Sequence, residues 1–190
     1  MIVGDPTRFA IESGITRAYS RLSFLALGYF CIHVAGKRYG VLAPDATMLG
    51  CSFGEVEKRL AERGSHVVPF SSESDGGFIG ESVYRALYAV DQEELTYFGM
   101  SCEPFTSMIY ERNILWAPDG DEAFDDGSFV LQFDVGERVR LIAFESAEGY
   151  RIAPGSLADH WIDSDEYYEI LRKWRDDFVA ERQGLPKLDD

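Results

Sequence analysis

The sequence of 190 residues is poor in metal-binding and redox residues. It holds three histidines, His33, His66 and His160, and three cysteines, Cys31, Cys51 and Cys102. There is no His pair at i, i+4 and no Cys-x-x-Cys. A zinc site needs such clustered ligands, so no metal is expected, and each lone His reads as a surface or satisfied core residue. An odd cysteine count without a paired motif excludes a disulfide framework and points to a reduced, cytoplasmic protein. Cys31 lies in an apolar run and reads as a small buried hydrophobe. Long apolar runs are missing too. The best, residues 24–28, falls far short of the ~20 residues that a bilayer crossing requires. The start carries Gly4, Asp5 and Pro6 in place of a basic end and an apolar stretch, so no signal peptide is read.

Positive charge is scarce: 18 Lys and Arg face 33 Asp and Glu, a formal net charge of −15. Nucleic acid and anionic membrane would be repelled, and neither is expected as a partner. The surplus suits solubility, or steering toward a basic protein. Disorder is not indicated, because 46% of the residues are hydrophobic and 14% aromatic. The length fits one domain, residues 1–190, able to bury a core without staples.

Catalytic motifs are thin as well. Gly99-Met100-Ser101-Cys102-Glu103 lacks the second Gly of a nucleophile elbow. Gly76-Gly77-Phe78-Ile79-Gly80 matches no phosphate-loop spacing and has no following Lys. Carboxylates are so common that no glycosidase-type pair can be picked out. No catalytic residue and no cofactor is assigned, and the chain is read as a non-enzyme.

What is present is a dense acidic run, Asp119-Gly120-Asp121-Glu122-Ala123-Phe124-Asp125-Asp126-Gly127. It fails the EF-hand pattern: Ala123 stands where an oxygen ligand belongs and Phe124 where the tight-turn Gly belongs. The plain reading is a solvated loop. The sharper one is a docking surface for cationic side chains, with Asp119, Asp121, Glu122, Asp125 and Asp126 as candidate partner-binding residues.

Along the chain, Gly4-Asp5-Pro6 reads as a turn, followed by a strand with Phe9 and Ile11 on one face. Residues 29–34 and 38–42 read as strands joined by a tight turn at Ala35-Gly36-Lys37. Ser52-Phe53-Gly54-Glu55 reads as a capping box opening a helix that stops at Gly64, with a surface pair Glu55–Arg59. Residues 71–77 read as the most mobile loop, and 80–89 as a helix burying Ile79, Val83, Ala86, Leu87 and Val90. Residues 91–104 give no clear pattern, and 108–116 are strand-like. Alternation over 129–133 and 139–143, around Val135-Gly136-Glu137, predicts an antiparallel hairpin. A long helix is expected over 165–183, entered at Asp163 or Ser164, with Tyr167, Ile170, Leu171, Trp174 and Phe178 as its apolar stripe. Tyr168 falls off that stripe and is expected outside; residues 183–190 are expected to fray. The pattern is α+β: an antiparallel sheet with helices packed on one face and a long C-terminal helix.

The Gly4-Asp5-Pro6 turn with Phe9-Ala10-Ile11 after it, then Gly28-Tyr29-Phe30, a short turn and Tyr39, resembles the N-terminal part of the immunity protein 42 family. These are small bacterial proteins that neutralise a toxin made by the same cell. The resemblance covers about the first 40 residues, and residues 102–116 show no pattern that aligns with it. It implies a cytoplasmic immunity protein that binds and occludes one cognate toxin of a polymorphic or contact-dependent system. No binding residue carries over, since the matching motif is structural. The charge adds an expectation of a basic toxin domain, a nuclease among the candidates. The alternatives are an acidic interaction or regulatory module without a toxin partner and, behind it, a small hydrolase with a dispersed site.

Overall fold

The computed structural model describes residues 1–21, 25–90, 95–118 and 120–188. The first half carries β1 (Ile2–Asp5), β2 (Phe9–Tyr19), β3 (Ala26–Val34), β4 (Lys37–Tyr39), β5 (Thr47–Met48), α1 (Gly50–Ala61) and α2 (Gly76–Tyr88). Then come β6 (Thr96–Tyr97), β7 (Met100–Ser101), α3 (Cys102–Glu111), β8 (Leu115–Ala117), a 3-10 turn at Glu122–Phe124, β9 (Ser128–Val135) and β10 (Arg138–Ala147). The chain closes with β11 (Arg151–Ile152), β12 (Ala158–Asp163), α4 (Ser164–Gly184) and β13 (Lys187–Leu188). The class is α+β with antiparallel sheets and a long C-terminal helix, and the strands divide between two main sheets. One runs β1-β2-β3-β4, with β5 added to β3 and β13 to β2; the other runs β11-β10-β9-β8, with β12 on β10. Only the β13–β2 pairing is parallel among the pairs described.

Local chemistry explains the first sheet. Asp5 Oδ1 accepts from Thr7 N at 2.9 Å and from Thr7 Oγ1 at 2.7 Å, closing the turn read in the sequence. Gly4 sits at φ +100°, and a Cβ there would meet the Phe9 carbonyl oxygen at 2.4 Å. Residues before that turn also form a strand, β1, which the sequence pattern had not suggested. Val34 pairs with Lys37 across a two-residue turn whose members, Ala35 and Gly36, both have positive φ. That backbone matches the right-handed twist of the flanking strands.

Two cores lie on opposite faces of the second sheet. On one face, Val130, Val139 and Leu141 meet Phe9, Phe30 and Ile32 of the first sheet and Tyr167, Leu171 and Trp174 of α4. On the other, Phe129, Leu131, Phe133, Ile142 and Phe144 meet Ile79 and Val83 of α2 and Phe105 and Ile109 of α3. The expected hairpin forms, and Phe129 and Phe144 face each other across it with stacked rings 4.9 Å apart. Both faces of β9 and β10 are covered, so apolar residues occupy both, with Ser128, Gln132, Asp134 and Arg140 as buried polar residues among them.

Several local expectations are corrected. Residues 102–111 form α3 where strand-like content was read through 108–116; only Leu115–Ala117 is a strand there. Pro104 is tolerated because it lies in the first turn, where backbone N–H groups have no intrahelical acceptor. Helix α2 starts at Gly76, capped by the Asp75 carboxylate, and ends before Val90, which is 89% exposed. The loop ahead of it is tethered: the buried Arg140 donates to the carbonyls of Ser71 and Glu73. Ser52 does not cap α1, whose first residue is Gly50; it donates to Asp121 Oδ2 instead. The Glu55–Arg59 pair forms, but with Arg59 fully buried. Tyr168 is buried too. Of the tail expected to fray over 183–190, residues 189–190 lie outside the described residues, and α4 runs to Gly184. Lys187 Nζ donates to the carbonyls of Arg182 and Leu185, and β13 joins the first sheet.

Candidate functional site

The surface potential begins with how the cations are used. Arg8 binds Glu166 through both terminal nitrogens, at 2.5 and 2.9 Å. Arg140 grips Asp159 at 2.8 and 2.6 Å. Lys37 donates to the carbonyls of Gly155 and Leu157, and Arg182 to those of Leu25 and Tyr19. These four side chains thus hold loops and helix ends in place.

The acidic loop joins β8 to β9. Asp119 lies outside the described residues. Asp121 is half-buried: its Oδ1 accepts from Thr47 Oγ1 at 2.7 Å and Ala123 N at 3.0 Å, and its Oδ2 from Ser52 Oγ at 2.5 Å. Asp126 accepts from Gly40 N at 3.2 Å and Ser128 N at 3.0 Å. These two carboxylates fasten the loop to β5, α1 and the first sheet. Glu122 and Asp125 are exposed and point no ion pair inward among the described residues. The sequence did carry the signal for the fastening role. Asp121 and Asp126 each sit two residues before the backbone N–H they accept from, the spacing of an Asx turn.

A second acidic surface was not foreseen. A cleft of about 540 Å3 is lined by Arg63, Asp134, Glu137, Asp163 and Asp165, among others. Its members come from the end of α1, the β9–β10 turn and the start of α4, so no stretch of sequence announces it. Asp163 caps α4, accepting from the N–H groups of Asp165 and Glu166. Arg63 pairs with Asp165 and lies 5.0 Å from the centroid of the Tyr168 ring. Asp134 is only 5% exposed. It accepts from Tyr168 Oη at 3.0 Å and from His66 N at 3.2 Å.

Behind Asp134 runs a buried polar chain. Gln132 Nε2 donates to Tyr168 Oη at 2.9 Å. Gln132 Oε1 accepts from Tyr167 Oη at 2.6 Å and Arg59 Nη1 at 2.9 Å. Burial pushes both tyrosine hydroxyls well above their ordinary range, so both stay protonated donors. His66 is wholly buried, with Nδ1 3.0 Å from the Arg112 carbonyl and Nε2 without a partner among the described residues. Burial, then the nearby Arg59 charge, push its pKa below the usual 6.5. The folded protein therefore binds the proton less readily than the unfolded chain. Stability linked to His66 is fully present above about pH 6.5 and falls as the pH drops below it. Urea titrations from pH 8 to pH 5 should show that decline. His66→Gln should flatten it; an unchanged slope would reject the assignment.

Among the described residues, no group of three or more His, Cys, Asp and Glu is placed to hold a metal. No described helix is long and apolar enough to cross a membrane. Comparison with curated proteins finds no match. A solved structure, CdiI from Burkholderia dolosa AUO158, is similar in fold, with a TM-score of 0.57 at 18% identity. The similarity covers 95% of this chain and 99% of that one. The family model for Immunity protein 42 matches residues 1–177, nearly the whole chain and far beyond the turn-and-strand motif that suggested it. The chain belongs to the Immunity protein 42 family.

Proposed function

We propose that this protein binds and neutralises a cognate toxin domain of a polymorphic or contact-dependent toxin system, in the cytoplasm, by covering it. The family match over residues 1–177 carries the reading. The mechanism is occlusion, with no reaction performed by the inhibitor. The net charge of −15, with arginines drawn into internal contacts, favours a basic toxin domain, a nuclease among the candidates. Glu122 and Asp125 supply exposed carboxylates for its cationic side chains, in the run that starts at Asp119. Asp121 and Asp126 keep that run in place. Exposed charges of this kind act mainly on the rate of encounter.

Co-expression with the cognate toxin domain tests the reading. Growth should be restored when this protein is present; continued killing despite good expression would reject it. A titration of purified partners at 50 and 500 mM salt tests the electrostatic part. Affinity should weaken about tenfold or more at high salt, as steering by exposed charge is screened. Indifference to salt would remove the basic partner while leaving immunity standing.

A further inference from the structure

On the face of the first sheet opposite Phe9 and Phe30, a groove of about 440 Å3 opens between β2, β3 and residues 42–44. Strand register puts Glu12, Gly14 and Tyr29 on that face together, since Gly14 pairs with Tyr29 and Glu12 lies two residues before it. The Tyr29 ring lies against Gly14, where a Cβ would meet its Cε1 at 2.4 Å. Glycine at this position therefore gives the groove an aromatic floor. Leu42, 45% exposed, and Pro44 supply an apolar wall. Thr16 Oγ1 fastens that wall to β2 by donating to the Pro44 carbonyl. Among the described residues, Glu12 is the one charged member of the lining. Its side chain is 17% exposed; Oε2 lies 2.9 Å from His33 Nε2, and Oε1 has no hydrogen-bond partner among the described residues. Any occupant must give that oxygen a donor. An apolar group would shut it away from water with its hydrogen bond unmade, which is costly. An anion would be repelled. A neutral donor would satisfy the oxygen and gain nothing from the ring face, which attracts cations. A long cationic side chain meets every surface: its hydrocarbon stem packs along Leu42 and Pro44, and its head reaches the ring and the carboxylate.

We propose that this groove seats a lysine or arginine side chain of the toxin, its head between Glu12 Oε1 and the Tyr29 ring. The inference rests on the immunity reading with a basic toxin and names a contact that would hold it. Glu12 is largely shielded from water, unlike Glu122 and Asp125, so its pairing acts on dissociation more than on encounter.

The test measures association and dissociation rates between the intact protein and its cognate toxin domain. Glu12→Gln keeps the shape and removes the charge; it should raise the dissociation rate about thirtyfold with little change in association. Tyr29→Leu leaves the Glu12–His33 pair in place and should raise dissociation about threefold, through loss of the ring face. It carries the test alone if Glu12→Gln does not fold. His33→Gln disturbs the same internal pair but keeps the carboxylate, and should bind as the parent does. Equal weakening by Glu12→Gln and His33→Gln would make the pair structural and overturn the proposal. Unaltered dissociation in Glu12→Gln and Tyr29→Leu, with the parent binding normally, would overturn the groove and leave the immunity reading intact. No binding by the parent would overturn both. Dimerisation of the free protein that Glu12→Gln abolishes would give the groove to a second copy and overturn the assignment to toxin.

Discussion

Trp174→Ala should destabilise the protein by about 3–5 kcal/mol, a large share of the ~5–15 kcal/mol that holds a typical domain together. Trp174 is completely buried on α4, where that helix crosses the first sheet and α1. Its ring meets Phe30 edge-on at 5.1 Å and stacks on Phe178 at 5.3 Å, with Phe53 at 6.3 Å. Its Nε1 donates to the buried Ser13 Oγ at 2.9 Å. Truncation removes the apolar area, opens a cavity among rings that cannot collapse into it, and strands Ser13 in the core. Trp174→Phe keeps most of the area and still leaves Ser13 without its donor, so a loss of about 1–3 kcal/mol is expected. The neighbouring Lys173→Ala removes only an exposed pair with Asp177 and should stay within about 0.5 kcal/mol. Urea denaturation of the three variants decides the matter. A loss below about 1 kcal/mol for Trp174→Ala would mean that α4 does not anchor the core as described.

Arg59→Ala should cost a similar ~3–5 kcal/mol, for a different reason. The guanidinium has no solvent exposure, lies 4.8 Å from the centroid of the Trp116 ring, and donates to Gln132 Oε1 at 2.9 Å. Its Nη2 is 2.9 Å from Glu55 Oε1, close enough for an ion pair but outside hydrogen-bond alignment, and its Nε has no partner among the described residues. Desolvation of this charge is therefore only partly offset by its contacts. Arg59→Met should be much milder, about 1–2 kcal/mol, because it refills the volume over Trp116. Gln132 Oε1 would still accept from Tyr167, and Glu55 keeps some access to solvent. Equal losses for Ala and Met would show that the site needs the charge and not the volume.

The strongest periodic signals in the sequence match the structure closely. The β9–β10 hairpin and the α4 stripe could be read because alternation and 3.6-residue spacing are imposed by packing against a core. The Gly4-Asp5-Pro6 turn was legible because an Asx turn is decided by residues in contact along the chain. Tyr168 and Arg59 were misplaced because each is satisfied by partners far away in sequence, Asp134 with Gln132 for one and Gln132 with Trp116 for the other. Helix α3 was missed because residues 91–104 show no clear periodicity, and Pro104 is accepted only because it falls in the first turn. The site divides in the same way. The acidic run stands out in composition, yet two of its carboxylates turn out to fasten a loop. The cleft around Asp134 assembles from segments that share no local pattern.

The parallel pairing of Lys187 and Leu188 with Ala18 and Tyr19 covers the outer margin at one end of β2. An uncovered margin is a template for unwanted pairing with a neighbouring chain. The short β13 therefore acts as a guard against self-association as much as a source of cohesion.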